Sequence, residues 1–257
     1  MKDELTVHIL NCSVLNNVDF SVRGGTFTAL IGKSSSGKSL LLKCIAGLCN
    51  YDGEVKINGN VIAKSSKIDR NIGFFTGLST LIPYTVLENI IESLINLDYD
   101  EKNARKKAYD ILKKLGIENL AHKNIDVLSY SEKKMVAIAK SIVHEPSVIL
   151  LDNVFDSLDL NYKRKIVNYL KSLKQNIVIF TCNNSEDLMF ADDIIIIKNG
   201  KIIEHGKRNN LFEKESTFLK NGIKLPFIID LSYKLIFYEL TDHLIYNSKE
   251  MVDELWK

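Results

Sequence analysis

The feature that most constrains this chain is a glycine-bounded segment that joins an apolar stretch to a helical pattern. Before the segment, apolar residues alternate as far as Ile31, which predicts a β-strand. After it, apolar residues recur at helical spacing from Leu41 to Leu48, which predicts a helix. The segment matches the pattern G-x-x-x-x-G-K-S and consists of Gly32, Lys33, Ser34, Ser35, Ser36, Gly37, Lys38 and Ser39.

The residues of this segment predict a phosphate-binding loop for ATP and Mg²⁺. Backbone N–H groups and the helix N-terminus favour phosphate oxygens, and Lys38 is positioned to reach the β and γ phosphates. The Ser39 hydroxyl is expected to coordinate Mg²⁺ together with Asp152, which ends the apolar run Val148 to Leu151. Leu40 completes the predicted ATP-binding segment. The predicted cofactors are therefore ATP and Mg²⁺.

Alternating apolar strands and helical segments predict an α/β protein with a parallel core sheet, and the phosphate-loop motif implies the fold of a P-loop NTPase. The pairs Asn58-Gly59 and Asn199-Gly200 each lie between apolar residues and predict tight hairpins, the first in an antiparallel β subdomain. Residues 85–144 predict a helical subdomain because their apolar residues lie on stripes. We expect a nucleotide-binding domain over residues 1–210 and a C-terminal extension over 211–257.

Charge and hydropathy limit the classes of partner. The 34 Lys and Arg residues nearly balance the 32 Asp and Glu residues, so the net charge of +2 gives no electrostatic argument for a nucleic-acid partner. No apolar run approaches the roughly 20 residues that span a bilayer, and the first ten residues lack a signal-peptide pattern. We expect a cytoplasmic protein that binds no nucleic acid and associates with a membrane only peripherally.

Several segments resemble those of ATP-binding cassette (ABC) ATPases. Residues 156–159 are similar to the D-loop of that family, and residues 199–203 are similar to its closing hairpin. Ahead of an apolar helix, a segment resembles the family's signature region and consists of Leu128, Ser129, Tyr130, Ser131 and Glu132. In the family, two subunits enclose two ATP molecules, each between the phosphate loop of one subunit and the signature of the other. The resemblance implies a second ABC ATPase subunit and an integral membrane transporter subunit as partners.

The end of the chain, over residues 221–227 and 248–255, is similar to the C-terminal extension of ATPases from energy-coupling factor transporters, which import vitamins and metal ions. This similarity implies a peripheral location at the cytoplasmic face of the cell membrane. The alternative is a generic helical appendage that packs on the sheet or dimerises.

Several positions depart from the ABC pattern. Asn153 stands where the family has the glutamate that accepts a proton from the attacking water, and Cys182 stands where it has the switch histidine. Thr76 occupies the expected position of the glutamine loop. No tyrosine precedes Val14 to stack on adenine, so His8 is the candidate for that role. The signature's glycines and glutamine are replaced by Tyr130, Ser131 and Glu132.

The retained residues are those that bind MgATP, whereas the missing ones act in hydrolysis or detect its completion. The sequence therefore predicts ATP binding with weakened hydrolysis. Two functions remain open: a transport ATPase subunit, and a catalytically retired nucleotide-binding module that stabilises or regulates an assembly. The altered positions favour a heterodimer with a catalytically intact ATPase over a homodimer, and the sequence does not specify the transported substrate.

Overall fold

Ten strands form two sheets in the computed structural model, which describes residues 3–65 and 67–256. In chain order the strands are β1 (Glu4–Cys12), β2 (Leu15–Arg23), β3 (Phe27–Ile31), β4 (Asp52–Ile57), β5 (Asn60–Val61), β6 (Ile72–Phe75), β7 (Val148–Leu151), β8 (Ile177–Cys182), β9 (Asp193–Lys198) and β10 (Lys201–Lys207).

The larger sheet has six strands in the order β10-β9-β3-β8-β7-β6. All neighbouring strands in it are parallel except β9 and β10, which form an antiparallel pair. The strands β3, β6, β7 and β8 are buried along their whole length, so their residues do not alternate between polar and apolar, and Thr28 and Thr181 are the only polar side chains among them. The predicted α/β fold with a parallel core sheet is confirmed.

The smaller sheet is antiparallel, with the strand order β2-β1-β4-β5. Its last hairpin turns at Asn58 and Gly59, whose φ angles of 52° and 80° suit a tight two-residue turn. The turn between β9 and β10 is of the same kind, with φ angles of 50° at Asn199 and 73° at Gly200. Both hairpins predicted from Asn-Gly pairs are confirmed.

Nine α-helices pack around these sheets in the described residues, and the stretch predicted to be helical contains three of them. In chain order they are α1 (Lys38–Ile45), α2 (Val86–Ile95), α3 (Glu101–Lys114), α4 (Tyr130–Ile142), α5 (Leu160–Ser172), α6 (Arg208–Phe212), α7 (Glu215–Lys220), α8 (Phe227–Phe237) and α9 (Ser248–Leu255). The segment Ser185–Phe190 is a 3-10 helix. None of the helices in the described part of the chain is long and apolar enough to cross a membrane.

Helices α7, α8 and α9 lie in the predicted C-terminal extension, and α6 begins three residues before it. Phe212, Phe218 and Ile229 are completely buried in the same apolar cluster as the strands of the larger sheet, so the extension packs directly on the core. The division of the chain at residue 210 stays a prediction. Residues 1, 2 and 257, at the outer ends of the two predicted domains, lie outside the described residues, as does residue 66.

Candidate nucleotide-binding site

Three neighbouring strands of the larger sheet end next to one another and bring the predicted site residues together. Strand β3 leads into Gly32, β7 leads into Asp152, and β8 ends at Cys182. The order β3-β8-β7 makes these strands direct neighbours, and the carboxyl ends of parallel strands share one edge of a sheet. The phosphate loop, Asp152 and the residues after β8 therefore meet at this edge.

At the end of the loop between β3 and α1, the buried Lys38 side chain folds back onto carbonyl oxygens of the loop. Gly37 has a φ of 105°, so the backbone conformation favours glycine, and a Cβ atom there would lie 2.7 Å from Leu15 Cδ2. The Lys38 ammonium donates to the carbonyl oxygens of Gly32, at 2.7 Å, and Lys33, at 3.1 Å. Burial lowers the pKa of Lys38, while the neighbouring acidic groups act in the opposite direction. The ammonium is thus held at the centre of the loop.

The two predicted magnesium ligands contact each other. Ser39 Oγ donates to Asp152 Oδ1 at 3.0 Å, and Thr181 Oγ1 donates to the same oxygen at 2.7 Å. Hydroxyl and carboxylate oxygens are ligands that Mg²⁺ prefers, so this pair fits the ion. Within the loop, Ser36 Oγ is buried without a hydrogen-bond partner among the described residues. An unpaired buried hydroxyl at this place fits a loop that a phosphate group completes.

A cavity of about 430 Å³ adjoins the loop. Besides residues of the loop and Leu40, it is lined by Val14, Asn153 and Asn183. His8 is absent from this lining: it lies in β1, four residues before the end of the strand, and its Nδ1 is 2.8 Å from Asp19 Oδ2. The prediction that His8 contacts adenine is therefore not supported. Val14 and Leu40 are the apolar side chains at the cavity, and Val14 is 52% exposed in the turn between β1 and β2.

The positions that depart from the ABC pattern differ in their exposure. Asn153 is half-buried, and its N–H donates to Thr181 Oγ1 at 2.8 Å. Cys182 is 1% exposed, and burial raises the pKa of its thiol, so the side chain is a neutral group covered by the core. Thr76 is exposed immediately after β6, at the edge of the sheet where the other strands end.

The segment that resembles the signature forms the start of α4. Ser129 caps the helix, because its Oγ accepts from Glu132 N–H while the Glu132 carboxylate accepts from Ser129 N–H. These hydrogen bonds lower the pKa of Glu132, so the first turn of α4 carries a negative charge. Tyr130 is 54% exposed, whereas Leu128 is buried. Ser131 Oγ accepts from Asp159 N–H at 3.4 Å and thereby joins this turn to the segment that resembles the D-loop.

A family model described as ABC transporter matches residues 15–156, which is more than half of the chain. This chain belongs to the ABC transporter family. It is 30% identical to the energy-coupling factor transporter ATP-binding protein EcfA1 of Oenococcus oeni, over 95% of this chain and 91% of that protein. It is 32% identical to a probable sulfate/thiosulfate import ATP-binding protein CysA of Chlorella vulgaris, over 82% of this chain and 92% of that protein. Among solved structures, CbiO1 from Clostridium perfringens, part of the ABC transporter complex CbiONQ, superposes with a TM-score of 0.74 at 26% identity, covering 90% of this chain and 99% of CbiO1.

One buried residue of this ABC protein was not predicted as part of the site. Lys134, on α4, is 4% exposed, and its ammonium donates to the carbonyl oxygens of Asn153 at 2.9 Å and Asp156 at 2.5 Å. Burial lowers the pKa of Lys134, while the neighbouring Asp156 raises it. The lysine therefore ties α4 to the segment after β7. Its sequence signal was its position on the apolar face of α4, four residues before the buried Ile138.

The C-terminal extension of this ABC protein also reaches the phosphate loop. Gly222 lies against the Lys33 side chain, Ser185 Oγ donates to the carbonyl oxygen of Leu225 at 3.3 Å, and Glu186 Oε1 accepts from Phe227 N–H at 2.6 Å. A second cavity of about 230 Å³ lies among the loop, the residues after β8 and the extension. The extension thus contacts two of the three segments that form the candidate site.

We expect Gly222→Ala to alter the phosphate loop from a distance in sequence. The residue has a φ of 65°, and the added Cβ would lie 2.2 Å from Lys33 Cε, so the lysine side chain must move. Alanine is strained in this left-handed conformation, so we expect the free energy of unfolding to fall by about 1–2 kcal/mol, which urea denaturation measures. Displacement of Lys33 is expected to weaken MgATP binding by about fivefold, equivalent to roughly 1 kcal/mol, as measured by calorimetry.

The matched control is Gly59→Ala, because Gly59 has a φ of 80° and no atom lies within 4 Å of the position that the added methyl group would take. This variant carries the same backbone strain without the contact to the loop. Equal MgATP affinities for the two variants would show that the contact between Gly222 and Lys33 does not influence the nucleotide site.

Proposed function

We propose that this chain is the ATP-binding subunit of an ABC importer of the energy-coupling factor type, in which MgATP bound at a dimer interface powers substrate uptake. The observation that carries the proposal is the phosphate loop with Lys38 at its centre, beside the hydrogen-bonded pair of Ser39 and Asp152. An importer of this type is supported by the alignment with EcfA1, which covers 95% of the chain and therefore extends into the C-terminal extension.

Each group at the loop has one task in this proposal. Bound MgATP supplies the phosphoryl group and the cation that offsets its charge. Lys38 would contact the β and γ phosphates, while the backbone N–H groups of Gly32–Ser39 would bind the phosphate oxygens. Ser39 and Asp152 would hold Mg²⁺, and Thr181 would orient the Asp152 carboxylate through their 2.7 Å hydrogen bond. The apolar Val14 would pack against the base.

We propose that hydrolysis at this site is weak. The Asn153 amide has no basic lone pair with which to accept a proton from water, and the loss of a general base lowers rates by roughly 10²- to 10⁴-fold. The Cys182 thiol is too deeply buried to contact a phosphate. Thr76 lacks the amide that the glutamine loop uses towards the membrane subunit. The segment Leu128–Glu132 would present an exposed phenol and a carboxylate to the partner's nucleotide, which weakens that site as well.

The proposed partners are a second ABC ATPase subunit, in a heterodimer, and an integral membrane transporter subunit. The heterodimer is supported by the altered positions, because a catalytically intact partner could supply an unaltered signature to this chain's ATP. The membrane subunit is supported by the likeness to CbiO1, which is part of a transporter complex. The proposed location is peripheral, at the cytoplasmic face of the cell membrane. The net charge of +2 gives no support to a nucleic-acid partner.

A catalytically retired nucleotide-binding module is the second candidate function. The observation in its favour is that the two positions expected to act in hydrolysis, Asn153 and Cys182, hold an amide and a buried neutral thiol. Such a module would bind MgATP and stabilise or regulate an assembly without driving transport.

The test is affinity purification of the tagged chain from detergent-solubilised membranes, with mass spectrometry of the proteins recovered with it. Recovery of an integral membrane protein and an ABC ATPase with an unaltered signature is the expected result. Recovery of the chain alone, or as a soluble homodimer, would contradict the transporter assignment and favour the retired module.

A further inference from the structure

The orientation of the Asn153 side-chain amide follows from its hydrogen bonds. Its Oδ1 accepts from Asn183 Nδ2 at 3.1 Å. Thr181 Oγ1 is a weaker second donor at 3.3 Å, because its proton has a closer acceptor in Asp152 Oδ1 at 2.7 Å. An amide has its oxygen at one end and its two N–H donors at the other. With Oδ1 turned to Asn183, the donors of Asn153 are turned away from that residue.

The orientation of Asn183 is determined in turn by a carboxylate. Asn183 Nδ2 also donates to Asp156 Oδ2 at 2.9 Å. An ionised carboxylate only accepts hydrogen bonds, so Asn183 must present its NH₂ group, and not its oxygen, to Asp156. Asp156 therefore fixes Asn183, and Asn183 fixes Asn153. These hydrogen bonds are compatible with only one orientation of the Asn153 amide, in which Oδ1 faces Asn183.

Both amides lie beside the phosphate loop. Asn153 and Asn183 line the same cavity as Lys38 and Ser39, and Asn183 is exposed. A carboxylate at residue 153 would repel a terminal phosphate, whereas N–H donors form charge-assisted hydrogen bonds with its oxygens. The neighbouring Cys182 is buried and offers no such donor. The Asn153 amide, which replaces the base, can therefore bind the terminal phosphate.

We propose that Asn183 is a positioning residue that holds the Asn153 amide with its donors towards the terminal phosphate of ATP, and that this makes Asn153 a determinant of ATP over ADP. The inference rests on the proposed binding of MgATP at this loop. It adds that the site distinguishes the triphosphate from the diphosphate through the amide at residue 153. This orientation results from the hydrogen bonds that link Asp156 to Asn183 and Asn183 to Asn153.

The experiment compares the dissociation constants of MgATP and MgADP, measured by titration calorimetry on the full chain. The variants are Asn153→Ala, Asn183→Leu and the double variant. A hydrogen bond to a charged group contributes about 1.5–3 kcal/mol, so each single substitution is expected to lower the ratio of ATP to ADP affinity by about tenfold or more. Because Asn183 acts through Asn153, the double variant is expected to lose no more than Asn153→Ala alone.

Two controls separate this role from general damage. Asn184→Leu changes the adjacent amide, which accepts from Glu186 N–H and has no bond to Asn153, so it should leave the ATP to ADP ratio unchanged. Asn183→Asp keeps the shape but removes the donor, and Asn184→Asp controls for its added charge. Asn183→Asp is expected to lower the ratio about tenfold more than Asn184→Asp.

Four outcomes would overturn the inference. Equal binding of ATP and ADP by the unaltered chain would contradict the role of Asn153 while leaving the proposed function intact. Additive losses in the double variant, or equal losses of both nucleotides in Asn183→Leu, would show that Asn183 does not act through Asn153. Binding of neither nucleotide by the unaltered chain would refute the proposed function together with the inference.

Discussion

Replacement of Lys38 by alanine is expected to weaken MgATP binding by at least about 100-fold. The ammonium lies at the centre of the phosphate loop, where it donates to the carbonyl oxygens of Gly32 and Lys33. Phosphate oxygens would accept these donors in the bound state, and charge-assisted hydrogen bonds contribute about 1.5–3 kcal/mol each. Two such bonds correspond to roughly 100-fold or more in the dissociation constant, which titration calorimetry measures directly.

The control is Lys43→Ala, which removes the same charge from the other end of the same helix. Lys43 is exposed in the last turn of α1, so its loss should leave MgATP affinity nearly unchanged. An unchanged dissociation constant for Lys38→Ala would exclude the loop as the phosphate site.

The same pair of variants separates the two candidate functions. If the chain powers import, Lys38→Ala should abolish substrate uptake by the assembly in reconstituted vesicles, while Lys43→Ala preserves it. If the chain is a retired module, uptake should persist in Lys38→Ala. The assembly should then still be recovered intact from membranes.

Patterns that depend only on neighbouring residues predicted much of the fold. The turns at Asn58-Gly59 and Asn199-Gly200 follow from two residues that accept positive φ angles, and the structure has both. The apolar run Val148–Leu151 predicted a buried parallel strand, because such a strand is covered on both faces. In the structure all four of its residues are buried. Such features are encoded locally, so the sequence is sufficient to predict them.

The features that the sequence did not predict depend on contacts between distant segments. Lys134 and Asn183 act on Asn153 from 19 and 30 residues away, and no spacing rule links them. His8 was the candidate for adenine, but its Nδ1 lies 2.8 Å from Asp19 Oδ2, and His8 does not line the cavity beside the phosphate loop. The contact of Gly222 with Lys33 joins residues almost 200 positions apart in the chain. The sequence supplied the binding loop, whereas the fold determines which groups orient its neighbours.

Asn153→Glu is expected to raise the rate of ATP hydrolysis by the assembly by roughly 10²- to 10⁴-fold, the typical contribution of a general base. The substitution replaces an amide donor with a carboxylate beside Thr181 and Asn183, both of which can donate to it. Asp152 and Asp156 lie nearby as like charges and would raise the pKa of the new carboxyl, and a base with a pKa near the working pH is effective.

The measurement is phosphate release at saturating MgATP from the purified assembly, where an unaltered partner signature can complete the site. Asn153→Gln is the matched control, because it has the length of glutamate but no basic oxygen, and it should stay near the original rate. Equal rates for the glutamate and glutamine variants would show that the base is not what limits hydrolysis. The limiting group would then be sought in the buried Cys182 or in the signature segment with Tyr130 and Glu132. A glutamate variant that hydrolyses MgATP faster but binds it less tightly would indicate two alternative roles for residue 153. Asparagine would bind the terminal phosphate through its N–H donors, whereas glutamate would accept a proton from water.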